Sequence, residues 1–207
     1  MTSFPEDRFQ FWEDRYLQDA AGWDLGGSTP VFDSIADELN PGKLCVIGCG
    51  RGHDAVMFAR KGFKVTAVDF SPAAIQSVKD LAAKSDVPIQ TVHSDIFLLN
   101  SKFTNVFDYI VEQTCFCAIN PAHRINYETL VKRLLIAGGL LIGLWFPLDK
   151  TLEDGGPPWG TTIKEVKTLF NLGWSIEKEE FPKLSICARK GREKLIIFRK
   201  DKLTVKA

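Results

Sequence analysis

The sequence predicts an α/β fold, a mainly parallel sheet with helices on both faces, and three observations predict it. An apolar run at 44–47 stops abruptly at Gly48, Gly50 and Gly52. A helical pattern, a second apolar run and the acid Asp69 follow, which a strand, tight turn, helix and parallel strand explain economically. Apolar runs and helix-spaced segments then keep alternating as far as residue 146, a pattern that demands parallel strands joined by crossovers. The first strand, 44–47, is also continuously apolar, as strands covered on both faces are.

Bulk properties set the frame. At 207 residues the chain suits one sizeable domain, expected over 1–207, burying about 70% of its unfolded surface. Lysine plus arginine and aspartate plus glutamate are 26 each, so no strong field draws nucleic acid or an anionic membrane. The opening MTSFPEDRFQFWEDR is acidic and lacks the apolar core of a signal peptide. No run approaches the roughly 18 apolar residues of a membrane span. The expectation is a cytoplasmic monomer with neither nucleic-acid nor membrane partner. The 5 cysteines show no paired CxxC and no histidine cluster, so neither a disulfide scaffold nor a metal site is expected. Cys45 reads as a small core residue and Cys49, inside the glycine turn, as a packing residue.

In chain order, residues 6–19 carry Phe9, Phe11, Trp12, Tyr16 and Leu17 at mixed helical spacing, predicting an amphipathic helix rich in aromatics. It reads either as a helix packed on the sheet or as a cover whose rings attract a cationic or aromatic ligand. A glycine-rich loop at 21–30 presents Trp23 and leads into a helix through 39, started by Thr29-Pro30. The strand at 44–47 and its glycines come next, then a helix at 54–60, a strand at 63–68 and Asp69.

The acid at the tip of such a second strand commonly holds ribose hydroxyls, so the ligand should contain a ribose. A dinucleotide fingerprint places glycine at the first, third and sixth positions, but the sixth here is His53 and glycine falls at the fifth. Gly-x-Gly-x-Gly with a downstream acid is instead the pattern of S-adenosylmethionine-dependent methyltransferases.

Ser71-Pro72 caps a helix at 73–84, and a third strand at 89–93 ends at Ser94, Asp95 and Ile96. Asp95 reads as an adenine contact or as a strand-end turn residue. A fourth strand at 107–111 ends in Glu112, Gln113 and Thr114, and Asn120-Pro121 starts a helix to about 137. Gly138-Gly139 is expected to end that helix and open a fifth strand at 140–146. The loop at 152–160, with three glycines, two prolines and Trp159, lies where ligands bind in open α/β sheets. A helix at 161–172 and closing strands at 174–181 and 194–199 complete the chain, and the basic stretch at 189–192 reads as a solvated turn.

With these pieces placed, five passages in order resemble the thiopurine methyltransferase family, including its plant branch of halide, thiocyanate and thiol methyltransferases. They are Trp12-Glu13-Asp14 with Tyr16, Trp23-Asp24 before Thr29-Pro30, GCGRGHD at 48–54, CAINP at 117–121 with Arg124, and GGPPW at 155–159. The resemblance covers nearly the whole chain. It implies a class I methyltransferase fold, a Rossmann-like three-layer sandwich whose seven-stranded sheet has an antiparallel closing strand, with 1–40 as an N-terminal helical lid. It further implies S-adenosylmethionine as donor, S-adenosylhomocysteine as product and no metal. By the same analogy Trp12, Tyr16 and Trp23 line the donor pocket, Gly48 and Gly50 lie under the methionine part and Asp69 takes the ribose. Asp95 with Ile96 frames the adenine, and Glu112 joins the donor set.

The acceptor is less determined. The plant branch has a tyrosine where Phe146 stands, so its pocket cannot be copied. Phe116, Arg124, Phe146 and Trp159, with Trp145, are expected to form an aromatic wall for a small soft nucleophile: a thiol, sulfide, halide or thiocyanate. Arg124 also reads as a helix-surface ion pair. A thiol already supplies some thiolate at neutral pH, so alignment can replace a dedicated base. If a proton acceptor is used, the candidates are His53, Glu112 and Asp24. The alternatives left open are another small-molecule acceptor, a non-catalytic S-adenosylmethionine-binding module and an NAD-dependent oxidoreductase.

Overall fold

The computed structural model describes residues 4–202. The outermost parts of the expected 1–207 domain and 1–40 segment lie outside the described residues. Seven strands form one sheet in the order β3-β2-β1-β4-β5-β7-β6. They are β1 Lys43–Ile47, β2 Lys64–Asp69, β3 Ile89–His93, β4 Phe107–Gln113, β5 Leu135–Trp145, β6 Trp174–Glu180 and β7 Lys194–Lys200. The helices are α1 Phe9–Leu17, α2 Pro30–Glu38, α3 His53–Arg60, α4 Pro72–Lys84, α5 Arg124–Leu134 and α6 Ile163–Leu169. β1 to β5 are parallel, and β7 runs antiparallel between β5 and β6.

Strand alternation divides the core into two layers, because successive side chains leave a strand on opposite faces. Cys45 and Ile47 of β1, Ile110 of β4, Leu141 of β5 and Ile196 and Phe198 of β7 join one cluster, covered by Tyr127, Leu130 and Leu134 of α5 and Val166 of α6. Leu44, Val46, Val111, Ile142, Leu195 and Ile197 join the other, covered by Phe32 and Ile35 of α2 and Phe58 of α3. Strands apolar on both faces are thus what this sandwich requires.

Most predicted elements fall within a few residues of their places, and two need correction. The expected helix at 120–137 is a short 3-10 turn at Pro121–His123 followed by α5, which stops at Leu134. β5 begins at once at Leu135, and its register with β4 slips between Phe107–Leu135 and Tyr109–Leu140. Gly138, at φ 82°, therefore sits in an irregularity inside the strand rather than at a helix end. The first predicted helix likewise divides into a 3-10 turn at Pro5–Asp7 and α1.

The carboxyl ends of the parallel strands meet along one edge, where Ile47 neighbours both Val68 and Glu112 and Asp69 neighbours His93. Because β7 is reversed, its first residue Lys194 pairs with Trp145 at the end of β5. The loop before β7 is thereby delivered to the same edge.

Candidate active site

The turn after β1 is built from backbone. Gly48, Gly50 and Gly52 take φ of 60°, 54° and 87°, a left-handed region that residues with a Cβ rarely occupy. A Cβ at Gly48 would meet Cys115 Sγ at 3.0 Å, and one at Gly50 would meet Tyr16 Oη at 3.3 Å. The turn is tied to β2: Cys49 N–H donates to Val68 O at 2.9 Å, and Gly50 N–H donates to Asp69 Oδ2 at 2.9 Å. Ser71 N–H donates to Asp69 Oδ1 at 2.9 Å. Burial pushes the Asp69 carboxyl above its ordinary range, against the pull of these N–H groups. With the Phe70 N–H also pulling on it, the carboxylate has few of its about four acceptor positions left for a ligand hydroxyl.

The N-terminal segment lies over this turn. Tyr16 is buried, and its hydroxyl accepts the Trp23 indole N–H at 3.2 Å. Trp23 meets Trp12 and Tyr16 edge-on at ring separations of 5.4 and 5.5 Å. Ser71 hydroxyl and Ala73 N–H both donate to Glu13 Oε2, which fastens α1 to the start of α4. Arg51 pairs with Asp19 at 2.6 Å and Asp24 at 2.9 Å, and His53 Nε2 lies 3.3 Å from Asp24 Oδ1. Behind the loop, Thr29 N–H and hydroxyl donate to Asp54 at 2.6 and 2.9 Å, anchoring the segment at its far end. Glycine backbone below, a carboxylate beside it and aromatic rings above are groups whose chemistry suits an adenosyl sulfonium.

At the third strand's end, Asp95 Oδ1 accepts Phe97 N–H at 2.9 Å, capping the 3-10 turn Ile96–Leu98, and Ile96 is buried. Glu112 is 1% exposed. It accepts N–H groups of Cys115 and Phe116 and the Tyr127 hydroxyl at 2.7 Å, and burial raises its pKa to about 7. It holds the segment after β4 in place from below. Next to it Thr114 takes φ 58°, a left-handed corner that starts the turn toward Cys115.

The acceptor-side residues divide. Phe116, 3% exposed, packs edge-on against Tyr127 and Trp145 within the core, and Trp145 is buried with it. Phe146 and Trp159 are only half-buried. The Arg124 guanidinium stacks over Phe116 at 4.6 Å and donates to Gly160 O at 2.9 Å, and desolvation lowers its pKa. It is engaged by the 152–160 loop rather than by a surface acid. Trp159 is held twice, by its N–H to Cys117 O at 2.7 Å and by its indole N–H to Glu6 Oε1 at 3.1 Å.

Two functional candidates escaped the sequence. The stretch at 189–192 is not wholly a solvated turn: Arg192 is half-exposed and pairs with Asp149 at 2.7 Å, but Arg189 is 6% exposed. Arg189 Nη2 donates to Trp23 O at 3.0 Å and its guanidinium lies 5.3 Å from the Phe146 ring centre. Its Nη1 is buried without a hydrogen-bond partner among the described residues. A polar loop sequence carries no signal that one arginine turns inward. Asp54 could have been found, since it and Thr29 both lie in the quoted passages. Among the described residues no group of three or more His, Cys, Asp and Glu could hold a metal.

Fold and site together define a class I S-adenosylmethionine-dependent methyltransferase. A solved 1,6-didemethyltoxoflavin-N1-methyltransferase from Burkholderia thailandensis, with S-adenosylhomocysteine bound, superposes with a TM-score of 0.73 at 19% identity, covering 94% of this chain and 87% of that one. The chain belongs to the thiopurine S-methyltransferase family, whose model matches residues 8–202. It is 34% identical to the probable thiol methyltransferase 2 of Arabidopsis thaliana over 191 residues, covering 89% of this chain and 82% of that protein. With thiocyanate methyltransferase 1 of Brassica oleracea it shares 33% identity, again covering 89% of this chain and 82% of the relative.

Proposed function

We propose that this methyltransferase acts on a small, soft anion: a thiolate, hydrosulfide, thiocyanate or halide. The observation that carries the reading is Arg189. The buried Glu193 carboxylate offsets part of its charge, but the guanidinium still lies beside an aromatic ring with Nη1 free of any hydrogen bond among the described residues, a donor that a small anion can satisfy. The names of the thiol and thiocyanate methyltransferase relatives support the same class.

S-adenosylmethionine supplies an electrophilic methyl group on its sulfonium. The chain's own residues do the rest. Gly48 and Gly50 receive the methionine part, Asp69 the ribose, and Asp95 with Ile96 the adenine. Trp12, Tyr16 and Trp23 cover the donor as part of a lid over 1–40 and exclude water, while Phe146, Trp159 and Arg189 align the acceptor. Such alignment can supply about 7–11 kcal/mol of the barrier reduction. No proton acceptor is assigned: Glu112 is enclosed beneath the site and His53 and Asp24 face each other. A soft anion arrives already ionised and needs none.

We further read the chain as one domain, a cytoplasmic monomer acting on a dissolved small molecule, with neither nucleic acid nor membrane as partner. Its balanced charge supports this, and no helix among the described residues is long and apolar enough to cross a membrane. The test is S-adenosylhomocysteine release with hydrosulfide, thiophenol, thiocyanate and iodide. Turnover of at least one is expected. Turnover of hydroxyl, amine or nucleic-acid acceptors alone overturns the reading, and donor binding with no product from any acceptor favours a sensing module.

A further inference from the structure

Glu6 stands where the two sides of the cleft meet. Its backbone carbonyl accepts the Trp12 indole N–H at 2.9 Å, and its carboxylate Oε1 accepts the Trp159 indole N–H and the Asn120 amide, both at 3.1 Å. One residue thus fixes the spacing between a donor-side tryptophan and an acceptor-side one. The residue is 8% exposed, and beside it Asp7 Oδ1 lies 3.5 Å from His123 Nε2, docking the same turn onto the segment before α5. Packing alone could keep an indole nearby, but a buried carboxylate fixes its direction. Hydrogen bonds to a charged oxygen are strong, and losing one leaves the charge unsatisfied.

We propose that Glu6 is a positioning residue for the acceptor: it sets the Trp159 indole, so that the acceptor wall is complete only while the N-terminal turn is docked. The inference rests on reading Trp159 as part of that wall. When the turn withdraws, Trp159 keeps its backbone bond to Cys117 and loses the partner of its ring. A donor that steadies Trp12 steadies the Glu6 backbone, and through it the side chain that holds Trp159. Donor and acceptor therefore strengthen each other's binding, reciprocally, by the same factor.

The experiment combines initial rates with thiophenol and calorimetry with S-adenosylhomocysteine on Glu6→Ala, Glu6→Gln, Trp159→Phe, Trp159→Ala and the double variant Glu6→Ala/Trp159→Phe. Glu6→Ala and Trp159→Phe each raise the thiophenol KM about tenfold, with kcat and S-adenosylhomocysteine affinity within about twofold, since only a side-chain bond is lost. The double variant is no worse than either single one, because both remove the same bond. Glu6→Gln, which keeps an oxygen acceptor, recovers most of the loss. The tightening of S-adenosylhomocysteine by thiophenol disappears in Glu6→Ala. A merely structural role would instead lower kcat and donor affinity together. Additive effects in the double variant, or an unchanged thiophenol KM in Trp159→Phe, overturn the proposal, and Trp159→Phe and Glu6→Gln keep it testable if Glu6→Ala does not fold. An unchanged KM in Trp159→Ala instead overturns the reading of Trp159 as acceptor wall.

Discussion

The turn after β1 presents mainly backbone beneath its aromatic cover, whereas the loops after β4, β5 and β6 present side chains that come from distant parts of the chain. On the donor side, three left-handed glycines and one carboxylate lie within one β-turn-α-β unit, and each polar atom of Asp69 has a backbone partner. On the side proposed for the acceptor, Arg189, Trp159 and Arg124 come from three loops or helix ends, and Arg189 Nη1 and Arg124 Nε are both buried without a hydrogen-bond partner among the described residues. A site made of backbone tolerates little change in its ligand. One made of loop side chains can be refitted to a new acceptor by a few substitutions, which suits a family whose relatives carry different acceptors in their names.

Substitutions can break or sharpen this contrast. The largest effect is expected for Asp69→Ala, which removes the carboxylate tied to the glycine turn. Loss of two charge-assisted hydrogen bonds, about 3 kcal/mol, should weaken S-adenosylhomocysteine roughly 100-fold by calorimetry. Arg189→Met should lower kcat/KM for thiocyanate or hydrosulfide about 30-fold, or about 2 kcal/mol, while leaving donor affinity within about twofold. If donor affinity falls equally, the two sides are not separable.

Gly48→Ala places a methyl against Cys115 at a φ of 60°, and should cost about 1–2 kcal/mol in denaturant unfolding together with weaker donor binding. Glu112→Gln addresses pH. Burial raises the Glu112 pKa from 4.5 to about 7, so between these values the folded state keeps a proton that the unfolded state has lost. Wild-type stability should therefore fall as pH rises from about 4.5 to 7, by up to about 1.4 kcal/mol per pH unit, and level off above. Unfolding midpoints of the Gln variant should lack that component of the slope. The smallest effect belongs to Arg51→Ala: its bonds to Asp19 and Asp24 lie near the surface and contribute about 0.5 kcal/mol, so donor affinity should change less than about threefold.

What the sequence made legible follows the same division. The glycine turn, Asp69 and the strands around them are encoded by short spacings, because a turn that needs left-handed φ and a strand buried on both faces restrict residue type locally. Gly138 misled for a related reason: glycine marks a left-handed residue, but not whether it ends a helix or kinks a strand. Phe116 read as pocket wall from its neighbours, yet the Thr114 corner turns it into the core. Arg189 and Glu6 could not be read at all. Their roles depend on loops that meet only when the sheet is assembled, and an arginine in a polar loop is ordinarily solvated.

The reversed run of β7 also bears on how the protein is made. Glu6 is synthesised well before Arg189, and the loop carrying Arg189 reaches the ligand edge only when Lys194 pairs beside Trp145. Synthesis proceeds at about 5–20 residues per second, so the glycine turn is complete several seconds before Arg189 exists. A nascent chain halted before β7 holds the glycine turn and Asp69 but lacks the strand pairing that brings the Arg189 loop to Trp23.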